Sequence, residues 1–155
     1  VWGDDLDYLL VDMPPGTGDV QMGVAKMVPR AEVIVITTPA VAAQKVAIRA
    51  VSMARKSFLR VAGVIENMSA FTCDHGETYA LFGSGGGATL AADAGVPLLG
   101  SVPIENAVSE GGDVGEPVAS SLLVGWTPGP GWTRCRSGLA GGSGAVPSGS
   151  AAGSI

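Results

Sequence analysis

One stretch constrains the fold more than any other: Leu6-Asp-Tyr-Leu-Leu-Val-Asp12-Met-Pro-Pro-Gly-Thr-Gly-Asp19-Val-Gln21. Tyr8 to Val11 is an apolar run of strand length and composition. It ends on a carboxylate, Asp12, and two prolines then stop any ladder. Gly16-Thr17-Gly18 forms a loop whose backbone can approach a ligand closely. Asp19 sits where an N-cap would open the next helix, because its oxygen can accept an orphan amide hydrogen. A buried parallel strand that delivers an acid to its C-terminal end, followed by a Gly-rich turn, is how open α/β sheets build phosphate and metal sites.

The rest of the chain alternates strand and helix signals. Val20, Val24, Met27 and Val28 give helical spacing, and Pro29-Arg30 closes that helix. Val33 to Ile36 is a continuous β-branched run, read as a strand buried on both faces. Val41 to Phe58 reads as a long helix, and Arg60-Val-Ala-Gly-Val-Ile-Glu66 as a strand with Asn67-Met68 at its C-terminal edge. Ser69 to Phe82 is irregular and holds Cys73 and the only histidine, His75. Ala88 to Ala94 is a short helix stopped by Gly95. Val96 to Val102 is a last strand, and Asn106 to Glu110 a short helix ended by Gly111-Gly-Asp113. This alternation predicts an α/β fold, a mostly parallel sheet with helices on both faces. After about Val124 the sequence is Gly, Ser and Ala in unpatterned order. The expected division is therefore an ordered domain over 1–124 and a disordered low-complexity tail over 125–155.

Composition narrows the function. A net charge of −5 and a pI near 4.6 argue against an autonomous nucleic-acid binder, since a phosphate backbone demands a basic face. The cluster Arg49, Arg55, Lys56 and Arg60 is spaced as the wet face of a helix. Two cysteines, Cys73 and Cys135, make no disulfide framework and suit a reducing cytoplasm. No signal-peptide pattern is visible, and no apolar run approaches ~18 residues, so no membrane span is expected. The chain opens on Val1 almost directly at an interior strand, and reads as the C-terminal part of a longer protein.

No G-x-x-x-x-G-K-[ST] occurs in the 155 residues. Gly83-Ser-Gly-Gly-Gly-Ala-Thr89 superficially resembles a phosphate loop, but it lacks a lysine and follows the irregular segment. A helix start against a close-packed neighbour is the better reading.

The string Asp-Met-Pro-Pro-Gly-Thr-Gly-Asp resembles the signature of the Mrp-type, or ApbC-like, proteins. These are P-loop ATPases related to MinD and ParA and implicated in iron–sulfur cluster carriage. Val35-Ile-Thr-Thr-Pro39, Gly63-Val-Ile-Glu-Asn-Met-Ser69, Phe82-Gly-x-Gly-Gly-Gly87, Val96-Pro-Leu-Leu-Gly-Ser-Val-Pro103 and Gly111-Gly-Asp-Val-Gly-Glu-Pro117 resemble further family segments in order. Together they cover roughly Asp5 to Val118.

The resemblance implies a partial P-loop NTPase fold and an ATP-binding iron–sulfur cluster carrier, a cytoplasmic homodimer whose partners are ATP and apo iron–sulfur proteins. Asp12 would be the Walker-B acid, the catalytic carboxylate that orients Mg²⁺ through water. Gly16, Thr17 and Gly18 would lie in the loop that senses the γ-phosphate. Asn67 would recognise adenine through its amide, although a strand-end turn residue is an equal reading of Asn67 from the sequence itself. Pro103, after the last strand, would flank the base. The family's Walker A would lie upstream of Val1, so the 155 residues alone are expected not to hydrolyse ATP.

The cluster segment departs from the family pattern Cys-Pro-x-Cys-Gly. Here it reads Cys73-Asp-His75-Gly76, one residue shorter and with one thiol. Two copies of Cys73 supply two thiolates where a cluster normally takes four ligands, and His75 would complete the set. A surface hairpin with an unpaired thiol is the alternative. Two other functions remain open. One is a MinD/ParA-like nucleotide switch, against which stands the lack of a basic amphipathic C-terminal helix. The other is a dimerisation remnant without catalysis.

Overall fold

The computed structural model describes residues 7–15, 18–116 and 127–128. Among the described residues, four helices and five strands follow in the order α1 (Asp19–Met27), β1 (Glu32–Thr37), α2 (Val41–Lys56), β2 (Arg60–Thr72), β3 (Thr78–Tyr79), α3 (Gly86–Ala94), β4 (Leu98–Ile104), α4 (Asn106–Val114) and β5 (Thr127–Pro128). One sheet runs β1-β2-β4-β5, with β3 paired to β2 off that path. β1, β2 and β4 are parallel, and the two short strands β3 and β5 are antiparallel to their neighbours. The α/β class and the mostly parallel sheet are as the alternation of signals predicts.

The core lies between the sheet and α2 and α3. Val35, Ala47, Val51, Val64, Leu90, Ala91 and Ala94 form one buried cluster. α3 can lie this close because four of its five buried residues, Gly86, Gly87, Ala91 and Ala94, are small, Leu90 being the exception. Gly63 permits the same closeness within the sheet. A Cβ there would stand 2.6 Å from Leu99 Cγ and 2.7 Å from the Pro97 carbonyl oxygen. α1 joins through Ala25, which packs with Ala54 and Leu59.

β1 buries Val35 and Thr37 on the helix side, while Ile34 and Ile36 on the other side are 44% and 56% exposed. Burial on both faces, expected from the β-branched run, is thus not seen along β1. A β-branched run records strand preference, but the layer that covers each face is a non-local matter.

Other boundaries also moved. Tyr8 to Val11, expected as a buried strand, forms no strand, and Leu10 is 90% exposed. A strand exists only through its ladder, and among the described residues none runs beside it. Asp19 is the first residue of α1 rather than its cap. Gly18 holds the N-cap position with no side-chain hydrogen bond. α2 ends at Lys56, short of Phe58. β2 does not stop at Glu66 but runs on to Thr72 and turns into β3, so the segment expected to be irregular is partly a hairpin. α4 continues through Gly111-Gly112 to Val114 and ends where Gly115 adopts φ +76°. Glycine weakens a helix interior without forbidding it, and here the left-handed residue is the stop.

Most of the expected tail lies outside the described residues. Thr127 and Pro128 pair with Ser101 and Gly100 of β4. Among the described residues no helix is long and apolar enough to cross a membrane.

Candidate functional site

Parallel strands expose their carboxyl ends along one edge of the sheet, where loops and helix starts converge. Thr37 ends β1 there. Glu66 and Asn67 lie at the same level of β2, since Thr37 pairs with Glu66. Asn67 in turn stands opposite Val102 of β4, so Pro103 is one residue from its ladder partner. Asn67 and Pro103 thus lie on neighbouring strands, one register position apart. Pro103 lies within β4 rather than after it. Asn67 does not end its strand either. It precedes Met68, which takes φ +56°, and the β2–β4 register breaks between Asn67 and Phe71. Asn67 Oδ1 accepts a 2.9 Å hydrogen bond from the Met68 amide, which leaves the side-chain NH₂ as its donor group.

Asp12 is exposed, in the irregular segment before α1. Gln21 tethers that segment. Its buried side chain donates from Nε2 to the Pro14 carbonyl oxygen at 2.7 Å. Gly16 and Thr17 lie outside the described residues, and Gly18 opens α1.

The glycine cluster serves packing, as its sequence context suggests. A Cβ on Gly86 would stand 2.5 Å from the Pro39 carbonyl oxygen. One on Gly87 would stand 2.6 Å from Glu66 Cβ. Glycine at both places lets the start of α3 press against the β1–α2 loop and against β2. Gln44 stiffens that loop by donating to the same Pro39 carbonyl at 2.8 Å.

Glu66 is the residue that sequence reasoning missed. It is buried in β2, and its Oε2 accepts a 2.5 Å hydrogen bond from the Gly87 amide. Gly85, the N-cap of α3, offers no side-chain acceptor. Glu66 therefore caps α3 from a neighbouring strand and sets a negative group at its positive end. The available signal was a lone carboxylate in an otherwise apolar strand, because buried acids need partners.

Cys73 and His75 sit in the turn between β2 and β3. The Cys73 amide donates to the Glu77 carbonyl and the Gly76 amide to the Cys73 carbonyl, both at 2.9 Å, while Gly76 takes φ +81°. Thr72 and Thr78 hydroxyls meet at 3.2 Å across the hairpin. Tyr79 donates its hydroxyl to Glu77 Oε2 at 2.5 Å, and that bond holds the phenol pKa above its usual value. His75 is exposed and Cys73 half-buried. Among the described residues, no group of three His, Cys, Asp or Glu side chains is placed to hold a metal ion.

A family model described as ParA, the NUBPL iron-transfer P-loop NTPases, matches residues 1–123. The chain belongs to this family. Among curated relatives, an iron–sulfur cluster carrier protein of Mycobacterium tuberculosis is 48% identical over 126 residues, which cover 77% of this chain and 33% of the relative. An iron–sulfur protein required for NADH dehydrogenase, mitochondrial, from Arabidopsis thaliana is 41% identical over 121 residues, covering 77% of this chain and 38% of that one. The chain thus spans about a third of the length of the curated relatives it matches. A nucleotide-binding protein from Archaeoglobus fulgidus, solved in complex with ADP and with cobalt found in it, aligns with a TM-score of 0.64. It is 34% identical, and the match covers 72% of this chain and 46% of that one. Membership in this NTPase family accounts for the parallel sheet and for the chain of motifs from Asp12 to Pro117.

Proposed function

We propose that this chain is part of an ATP-binding iron–sulfur cluster carrier, working as a homodimer that receives a cluster and passes it to apo iron–sulfur proteins in the cytoplasm. The observation that carries the reading is the placing of Cys73 at a hairpin turn in a chain whose described residues assemble no complete metal site. A cysteine at a hairpin turn is suited to meet its equivalent on a second copy. Two Cys73 thiolates and two His75 rings would then supply four ligands of types that iron–sulfur iron accepts. Cargo held between two short turns can be handed over, because its ligands are not enclosed in a core.

The nucleotide end fits the same reading. The exposed carboxylate of Asp12 is of the chemistry that holds Mg²⁺ through water. The Asn67 NH₂ can donate to a purine ring nitrogen, and Pro103 is one position from its ladder partner on β4. Gly16, Thr17 and Gly18 would form the loop around the γ-phosphate, and the bound magnesium would offset phosphate charge. The relatives' names and the ADP bound to the Archaeoglobus fulgidus protein support the assignment.

Cluster transfer tests it. The chain is loaded anaerobically with iron and sulfide, then mixed with an apo-ferredoxin. Wild type should convert the acceptor to its holo form, and Cys73→Ser should not. Equal transfer by both would remove the hairpin from the function.

A further inference from the structure

The opposite end of the sheet, where the parallel strands begin, has a chemistry of its own. A groove of about 420 Å³ lies between the last turns of α1 and α2. Its walls are Met22, Ala25, Pro29 and Phe58, and Lys26 and Lys56 also line it. Lys26 is in the last turn of α1 and Lys56 in the last turn of α2. Arg30, Arg55 and Arg60 follow or flank these helix ends, so five of the chain's nine basic residues collect here although its net charge is −5. Two of the five are engaged: Arg60 pairs with Glu32, and Arg55 donates to the Ala94 carbonyl.

Phe58 is the second unusual feature. α2 closes in a Schellman-type turn, with the Leu59 amide bonded to the Ala54 carbonyl at 2.9 Å and Leu59 packed on Ala54. Phe58 occupies the left-handed position of that turn, φ +59°, where glycine is the usual residue. Phe58 is 95% exposed, so burial does not offset the strained backbone. A strained residue that packs nothing in the fold, on the wall of a groove, points to use by a ligand.

We propose that this groove docks an acidic amphipathic segment of a protein partner. One apolar side chain would seat against Phe58, Met22 and Pro29, and neighbouring carboxylates would meet Lys26 and Lys56. The concave apolar floor calls for an inserted side chain, and the cations beside it call for negative charge, which is the helix-in-groove mode of recognition. A lipid surface shares the charge, and vesicle sedimentation separates it from a protein segment. The groove lies at the opposite end of the parallel strands from Asn67, Pro103 and the cluster hairpin.

The test uses the full chain and a short fluorescein-labelled synthetic peptide with leucines at helical spacing and glutamates between them. Fluorescence anisotropy should show saturable binding that weakens with added salt. The double variant K26E/K56E should bind it at least about tenfold more weakly and should instead prefer the same peptide with lysines for glutamates. Phe58→Gly suits the left-handed turn and keeps the fold, so its weaker binding, by about fivefold or more, reports the lost ring alone. The proposal is overturned if wild type fails to bind the acidic peptide, or if K26E/K56E binds it equally well. Sedimentation with phosphatidylserine vesicles in preference to the peptide would overturn it in favour of a membrane surface.

Discussion

Replacing Gly87 by alanine isolates the contact that fixes α3 against the sheet. In a helix this change normally stabilises, by roughly 0.5–1 kcal/mol, because alanine loses less backbone entropy on folding. Here the new methyl would stand 2.6 Å from Glu66 Cβ and 3.1 Å from Glu66 Oε2. The first of these atoms is fixed to the β2 backbone, so the side chain cannot simply swing aside. Either α3 lifts or β2 bends, an overpacking cost of about 1–3 kcal/mol. Lifting α3 also stretches the 2.5 Å bond from the Gly87 amide to Glu66. A hydrogen bond to a charged group contributes about 1.5–3 kcal/mol. Setting the helix gain against these losses leaves a net destabilisation of about 3 kcal/mol, a fall in Tm of roughly 6–12 °C for a chain of this size.

Thermal unfolding followed by far-ultraviolet circular dichroism is the assay. Gly23→Ala in α1 is the control, since a Cβ there meets nothing within 4 Å. It should raise Tm by about 1–3 °C. If Gly87→Ala melts at or above the wild-type temperature, helix propensity has won, and Glu66 does not position α3 as described.

Two further outcomes are expected. The 155-residue chain should release phosphate from Mg-ATP no faster than buffer, because its sequence contains no P-loop lysine; malachite-green detection of steady turnover that Asp12→Ala abolishes would place the phosphate site elsewhere. The Tyr79 phenol should ionise above the normal tyrosine range because its proton is held by Glu77, so in an ultraviolet titration Glu77→Gln should lower its pKa, and an unchanged curve would mean the bond does not persist in solution.

Much of the fold is legible in the sequence wherever local pattern and tertiary use agree. Val33 to Ile36 and Val41 to Phe58 declare a strand and a helix by composition and spacing, and the structure uses them as β1 and, as far as Lys56, as α2. The glycines before Ala88 were legible as a close-packed helix start because they follow no strand and carry no lysine. What was not legible depends on distant partners. Tyr8 to Val11 has the composition of a strand, yet a ladder needs a neighbour. The extension of β2 to Thr72 rests on pairing with β3 and on the left-handed break at Met68, neither of which has a hydrophobic period. Glu66 shows the same limit at the site. Its charge marked it, but its partner is the amide of a residue 21 positions away. The family resemblance makes Asn67 and Pro103 neighbours of a base; the β2–β4 register pairs Asn67 with Val102, one residue before Pro103.

The most direct test of the carrier assignment is anaerobic reconstitution of the chain with iron and sulfide, reading thiolate-to-iron charge-transfer absorption together with iron content per chain. The account predicts one cluster for every two chains, with the signal abolished in Cys73→Ser, weakened in His75→Ala and intact in Cys135→Ser. Equal iron uptake and an equal spectrum in wild type and Cys73→Ser would contradict it.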